Sequence, residues 1–109
     1  MSEEPGKVDL YTVITLCGSM RFRAEFDRLE AELALAGHVV LTPTNLAVTA
    51  DLSAEERALL GRIHLQKVAM ADEILVVNVG DYIGESTHRE IEHARWHGIV
   101  VNFLEPHAT

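Results

Sequence analysis

The chain has 109 residues, 48% of them hydrophobic, and its 9 basic against 17 acidic side chains give a formal net charge of -8. That length supports one compact core, and the acidic balance opposes binding to the backbone of DNA or RNA or to an anionic membrane. No apolar run reaches the roughly 18 residues of a membrane span, the acidic start Met1-Ser2-Glu3-Glu4-Pro5-Gly6 is unlike a secretory leader, and the single cysteine, Cys17, fits a reducing cytoplasmic compartment.

Residues 1–10 read as a flexible lead-in to one domain over 11–109. Thr12–Cys17 is a short β-rich run closed by Gly18, and Phe22, Phe26, Leu29 and Leu33 then recur at helical spacing up to Gly37. A second apolar run, His38–Leu41, is broken by Pro43, and the polar stretch from Thr44 to Asp51 reads as a loop. Ser53-Ala54-Glu55-Glu56 has capping-box spacing and opens a helix to about Ala71, followed by a third strand over Glu73–Val79. A third helix is expected from near Thr87 to Gly98, and Ile99–Phe103 makes a fourth strand.

This alternation predicts an α/β, Rossmann-like or flavodoxin-like three-layer sandwich: a four-stranded parallel sheet of order 2-1-3-4, with the first helix on one face and the other two on the opposite face. One face is then half covered. Strands three and four read as apolar on both faces, so the open half is expected to pack on a second copy in a homodimer.

In such sheets ligands bind beyond the carboxyl ends of the strands where strand order reverses, here between the first and third strands. Gly18, Ser19 and Arg21 on one side, and Gly84, Ser86 and Thr87 on the other, should meet there and could cradle a phosphate. Glu90 would stand in the first turn of the third helix, where the helix dipole favours its ionised form and a carboxylate can attack or stabilise a cationic carbon. The plainer alternative is that Thr87-His88-Arg89-Glu90 is a capping box in which Glu90 only bonds back to the backbone. Taken singly, Ser19 reads as a helix cap and Arg21 as a solvated charge, His88 and Arg89 either contact ligand at the helix start or are solvated, and Cys17 is most simply a packing residue.

His64 lies in an apolar stripe with Leu60 and Val68, as a hydrogen-bonded core histidine does, and Asp72 precedes the third strand at the end away from the crevice, where it reads as a turn or cap residue. Glu90, His93 and His97 share one helical face, but with no complementary cluster elsewhere they make a poor metal site. Neither a metal nor a cofactor is expected. The chain has no Walker motif and no Gly-x-Gly-x-x-Gly.

Ile14-Thr15-Leu16-Cys17-Gly18-Ser19-Met20-Arg21, Ala71-Asp72-Glu73-Ile74 and Glu90-Ile91-Glu92-His93-Ala94 together resemble the nucleoside 2-deoxyribosyltransferase superfamily, which includes nucleoside 5′-monophosphate N-glycosidases. The likeness runs from about Thr12 to Phe103. It implies that Glu90 matches the family's catalytic glutamate, that Gly18–Arg21 matches the loop binding the sugar or its 5′-phosphate, and that Asp72 has a functional role. Ser19 and Arg21 resemble the phosphohydrolase branch. The position aligned with a family tyrosine is Thr15, and a wall built by C-terminal segments in larger relatives would come from a partner subunit.

The implied reaction is cleavage or transfer at the N-glycosidic bond of a nucleoside or its 5′-monophosphate, with His64, His88 or water assisting departure of the base. A small-molecule nucleoside or nucleotide is therefore the expected partner. Gly80–Glu90 also loosely resembles the glycine-rich segment of cytokinin-activating phosphoribohydrolases. A non-catalytic nucleotide-sensing module and an interaction subunit with a vestigial cleft are the readings from other classes.

Overall fold

Side chains alternate along a strand, and in β1 (Val13–Gly18) that alternation divides the core in two. Ile14 and Leu16 face one layer, where they pack with Phe26, Leu29 and Val77, while Cys17 faces the other with Val68, Ile74, Val76, Ile91 and Ala94. The computed structural model describes residues 11–45 and 51–108; the lead-in over 1–10 and most of the expected loop after Thr44 lie outside them.

After β1 the chain forms one 3-10 turn (Met20–Phe22), α1 (Arg23–Leu35), β2 (Val39–Leu41), α2 (Ala54–Ala69), β3 (Glu73–Val77), a second 3-10 turn (Val79–Asp81), α3 (Glu85–Trp96) and β4 (Val100–Phe103). All strand pairs are parallel and the order is β2-β1-β3-β4, the arrangement that the βα alternation predicts. α1 supplies Phe26 and Leu29 to one face, and α2 and α3 supply Val68, Ile91 and Ala94 to the other. No helix among the described residues is long and apolar enough to cross a membrane.

Two element ends differ from the sequence reading, and both differences shape the cleft. β3 stops at Val77 instead of Val79, because Gly80 (φ 63°) and Asp81 (φ 58°) take left-handed backbone and turn the chain over the sheet edge. α3 starts at Glu85, with Gly84 as its N-cap in extended backbone, two residues before Thr87. α2, in contrast, begins as expected: Ser53 Oγ accepts from the Glu56 amide (3.0 Å) and the Glu56 carboxylate accepts from the Ser53 amide (2.9 Å).

The face of the sheet beyond α1 is less apolar than the sequence pattern implies. Val77 is fully buried there and Leu75 partly so, but on β4 the outward residues are Val100, which is exposed, and Asn102, which donates to the Glu73 carboxylate.

Residues following Phe103 tie down the turn after β3. The carboxamide of buried Asn78 donates to the Glu105 carbonyl (3.0 Å) and accepts from the Glu105 amide (2.9 Å), while the Glu105 carboxylate accepts from the Gly80 amide (3.0 Å). His107 Nδ1 stands 2.8 Å from Asp81 Oδ1, and its ring stacks on Phe103.

Gly18 ends β1 opposite Val77 in the β1–β3 register, with its Cα packed so closely that an added Cβ would lie 2.8 Å from the Val77 carbonyl oxygen and 3.3 Å from Phe26 Cζ. The carbonyl is sheet backbone and cannot swing away. Gly18→Ala is therefore expected to destabilise the fold by about 1–3 kcal/mol, measured as a lower urea midpoint with an unchanged m-value; an unaltered midpoint would show that the strand ends are free to part.

Candidate active site

Beyond the carboxyl ends of β1 and β3 lies a cleft of about 400 Å³. Gly18, Ser19 and Met20 form one side, Pro43 and Thr44 the segment after β2, Arg57, Leu60, Gly61 and His64 the α2 side, and Tyr82 with Gly84–Thr87 and Glu90 the α3 side. A second hollow of about 480 Å³ between α2 and α3 shares Arg57, Gly61, Ser86 and Glu90 with the first and adds Arg62 and Arg89.

Glu90 sits on the floor where the two hollows meet. Because α3 begins at Glu85, this side chain is in the second helical turn, and the capping box from Thr87 does not form: Gly84 is the N-cap and Thr87 is buried. The carboxylate is thus not spent on the helix end. Its side chain keeps only 14% of its surface exposed, with Oε1 3.8 Å from His64 Nε2. Below it, Cys17 Sγ lies 3.6 Å from the same His64 nitrogen, and ligand atoms of all three residues fall within 4.8 Å of one another.

Burial governs the protonation of this cluster. It raises Glu90 from the usual 4.5 to about 7, against the opposing pulls of the Cys17 thiol and the Arg89 charge. Burial, with the Lys67 charge adding to it, lowers His64 from 6.5 to about 4, and it lifts the Cys17 thiol well above the ordinary range with the Glu90 charge acting in the same sense. The Leu16 carbonyl draws the imidazole weakly the other way, but His64 Nδ1 is buried without a hydrogen bond of proper geometry. His64 is therefore neutral at physiological pH, where it cannot act as a protonated acid toward a leaving base.

The sequence-derived residues divide into three groups. Gly18, Ser19, Gly84, Ser86, Thr87, His64 and Glu90 converge on the cleft. Arg21 and Arg89 stand beside it: the Arg21 guanidinium lies 3.9 Å from the Tyr82 ring centroid, and Arg89 donates to Ser86 Oγ (3.2 Å) from the second hollow. Ser19 also caps the first 3-10 turn, accepting from the Arg21 amide at 3.2 Å. His88 is exposed and lines neither hollow.

Asp72 is the correction. Its carboxylate accepts from the Val13 amide (2.8 Å) and its own amide donates to the Val13 carbonyl (2.9 Å), pinning the starts of β1 and β3 at the end of the sheet opposite the cleft. A catalytic role has no geometry there; the turn-and-cap reading describes it. Thr15, at the position aligned with a tyrosine, is fully buried and donates to the Lys67 carbonyl (2.8 Å), so the β1 side chain reaching Glu90 is Cys17.

Two cleft residues escaped the sequence reading. Arg57 lies one turn into α2 and looks like any exposed helix charge until α2 is placed across the cleft. Tyr82, held edge-on to Phe22 with ring centroids 6.2 Å apart and stacked under Arg21, forms a fixed wall beside Gly84.

A doubly wound parallel sheet with a nearly enclosed carboxylate at its switch point defines a Rossmann-like α/β domain. Among solved structures, the chain is similar to a 2-deoxyribosyltransferase from Bacillus psychrosaccharolyticus (TM-score 0.62, 17% identity, covering 88% of this chain and 77% of that one). It is similar also to a 2-desoxiribosyltransferase from Leishmania mexicana (TM-score 0.65, 17% identity, 84% and 63%) and to a conserved protein from Enterococcus faecalis V583 (0.60, 19%, 85% and 62%). The fold that the sequence resemblance implies is the fold these structures share, and the chain spans less than two thirds of the latter two. No protein-family model and no curated protein matches the sequence.

The two shifted groups make opposite contributions to stability. Glu90, raised in the fold, stabilises fully below about pH 4.5 and loses that contribution as pH rises to about 7; His64, depressed, contributes fully above about 6.5 and loses it as pH falls to about 4. Between about 4.5 and 6.5 the slopes cancel. Glu90→Gln removes only the first, so its stability relative to wild type should climb between pH 4.5 and 7, by at most about 3 kcal/mol. Urea melts across that range check it, and a pH-independent difference would mean that Glu90 is ionised throughout.

Proposed function

We propose that this protein acts at the N-glycosidic bond of a nucleoside or nucleoside 5′-monophosphate, with Glu90 as nucleophile or ion-stabilising carboxylate. The observation carrying this reading is the Glu90 carboxylate itself, free of the helix cap and nearly enclosed at the floor of a nucleoside-sized cleft. Similarity of fold to 2-deoxyribosyltransferases supports it.

In this scheme a Glu90 oxygen approaches C1′ as the bond to the base breaks and the bonding pair leaves with the base nitrogen. The base takes a proton from water or a cleft hydroxyl, because His64 is neutral. Water, or the N–H nitrogen of a second base, then attacks C1′, breaking its bond to Glu90 and returning the carboxylate, and the proton it loses replaces the one that the departing base took. Water gives hydrolysis and a base gives transfer. Since the ionised form reacts, kcat/KM is expected to rise with pH through about 7 and level off above it.

Arg57 and Ser86, at the junction of the hollows, are suited to a 5′-phosphate, with Arg62 and Arg89 behind them. Arg57→Ala should raise KM for the monophosphate by roughly tenfold or more while leaving that for the free nucleoside nearly unchanged. An equal effect on both would remove the phosphate from that position. Ser19 joins this set as a hydroxyl on the β1 side, and no cofactor takes part in the scheme.

The primary test is chromatographic detection of free base from a panel of nucleosides and 5′-monophosphates, with and without an acceptor base. Release should fall at least about a hundredfold in Glu90→Ala. No release by the folded wild type, with ligand still bound, would replace this reading by a nucleotide-sensing module. A homodimer over the open sheet face is also proposed, on the exposure of the edge-strand residue Val100; sedimentation giving a monomer would reject it.

A further inference from the structure

The glycosidic scheme uses Glu90 but leaves unexplained why a thiol and an unprotonated imidazole are buried against it. Cys17 is fully buried and His64 is 6% exposed. Zinc-class ions bind a thiolate sulfur at about 2.3 Å and an imidazole nitrogen at about 2.0 Å, so two such ligands at a tetrahedral centre stand about 3.5 Å apart. Cys17 Sγ and His64 Nε2 are 3.6 Å apart, His64 Nε2 and Glu90 Oε1 3.8 Å, and no pair among the three exceeds 4.8 Å. The three side chains come from β1, α2 and α3, elements fixed in one core, so the donor set is assembled by the fold and not by one flexible loop.

We propose that Cys17, His64 and Glu90 form a three-ligand site for a zinc-class divalent cation, with its fourth position open to the cleft. His64 and Glu90 line the cleft while Cys17 lies beneath them, so a cation held by all three has protein below and cleft above. Three protein ligands with one open position is the arrangement of exchangeable and reactive zinc sites, in contrast to closed structural ones. Sulfur and nitrogen donors select this class over magnesium or calcium, which take oxygen. This set differs from the helical trio Glu90, His93 and His97: the His93 and His97 rings contact each other, 4.5 Å between centroids, and neither lines the cleft. The proposal does not rest on glycosidic chemistry, although an ion in the site and a substrate carbon would compete for the Glu90 carboxylate.

The test is titration of the full chain, carrying no added histidines, with Co²⁺ under reducing conditions. A thiolate-to-cobalt charge-transfer band in the near ultraviolet, with visible bands of tetrahedral intensity, is expected to saturate at one ion per chain and to be displaced by Zn²⁺. Cys17→Ser should abolish the charge-transfer band, and His64→Gln and Glu90→Gln should each weaken binding by at least about tenfold, with folding checked by circular dichroism. A double His93→Gln, His97→Gln variant should bind like wild type. Absence of the band in wild type, its survival in Cys17→Ser, or its loss in the His93/His97 variant would overturn the assignment. The spectrum needs no turnover, so its failure and that of the glycosidic reading are distinguishable.

Discussion

The contact between the Gly18 backbone and the Val77 carbonyl oxygen sets the geometry of everything above the sheet. Because β1 can approach β3 this closely at its last residue, the parallel ladder runs to the carboxyl edge, and the chain leaves both strands at the same height. The turn at Ser19 and the start of α3 then face each other across a gap of ligand size. Cys17, one residue before that contact, is held beneath the same gap against α2 and α3. A side chain at position 18 would part the strands and lower neither lip of the cleft in a controlled way.

Burial then supplies the chemistry. Glu90 is largely withdrawn from water, and its neighbours are a thiol and an imidazole that burial also keeps uncharged. Near pH 7 the only charge in such a cluster is that of the part-ionised Glu90, and a positive centre brought to it would favour that ionised form. In a chain of net charge -8, arginines gathered at Arg57, Arg62 and Arg89 give the adjoining hollow the opposite character. The two hollows thus set a carboxylate floor beside a flank of arginines.

The sheet order and the placement of helices were legible in the sequence, since parallel pairing and right-handed crossovers follow from βα alternation alone. The position of Glu90 was legible, but its freedom was not. Thr87–Glu90 has the spacing of a capping box, and what defeats that pattern is tertiary: Thr87 is drawn into the core and Gly84 takes the cap. Asp72 was readable from topology as a residue of the far sheet end, and the family likeness pointed the other way. Arg57 and the meeting of Cys17 with His64 were not readable, because residues separated by 47 positions meet only when α2 is laid across the end of β1.

One consequence concerns the segment after β4. The bonds from Asn78 to Glu105 and from Glu105 to Gly80 join the turn before Tyr82 to a stretch some distance along the chain. If that stretch peels away, the Asn78 Nδ2 keeps only its bond to Asp81 and its Oδ1 is left without a donor, a state disfavoured enough that the turn should open with it. The turn beside the cleft and the stretch after β4 are therefore expected to open together.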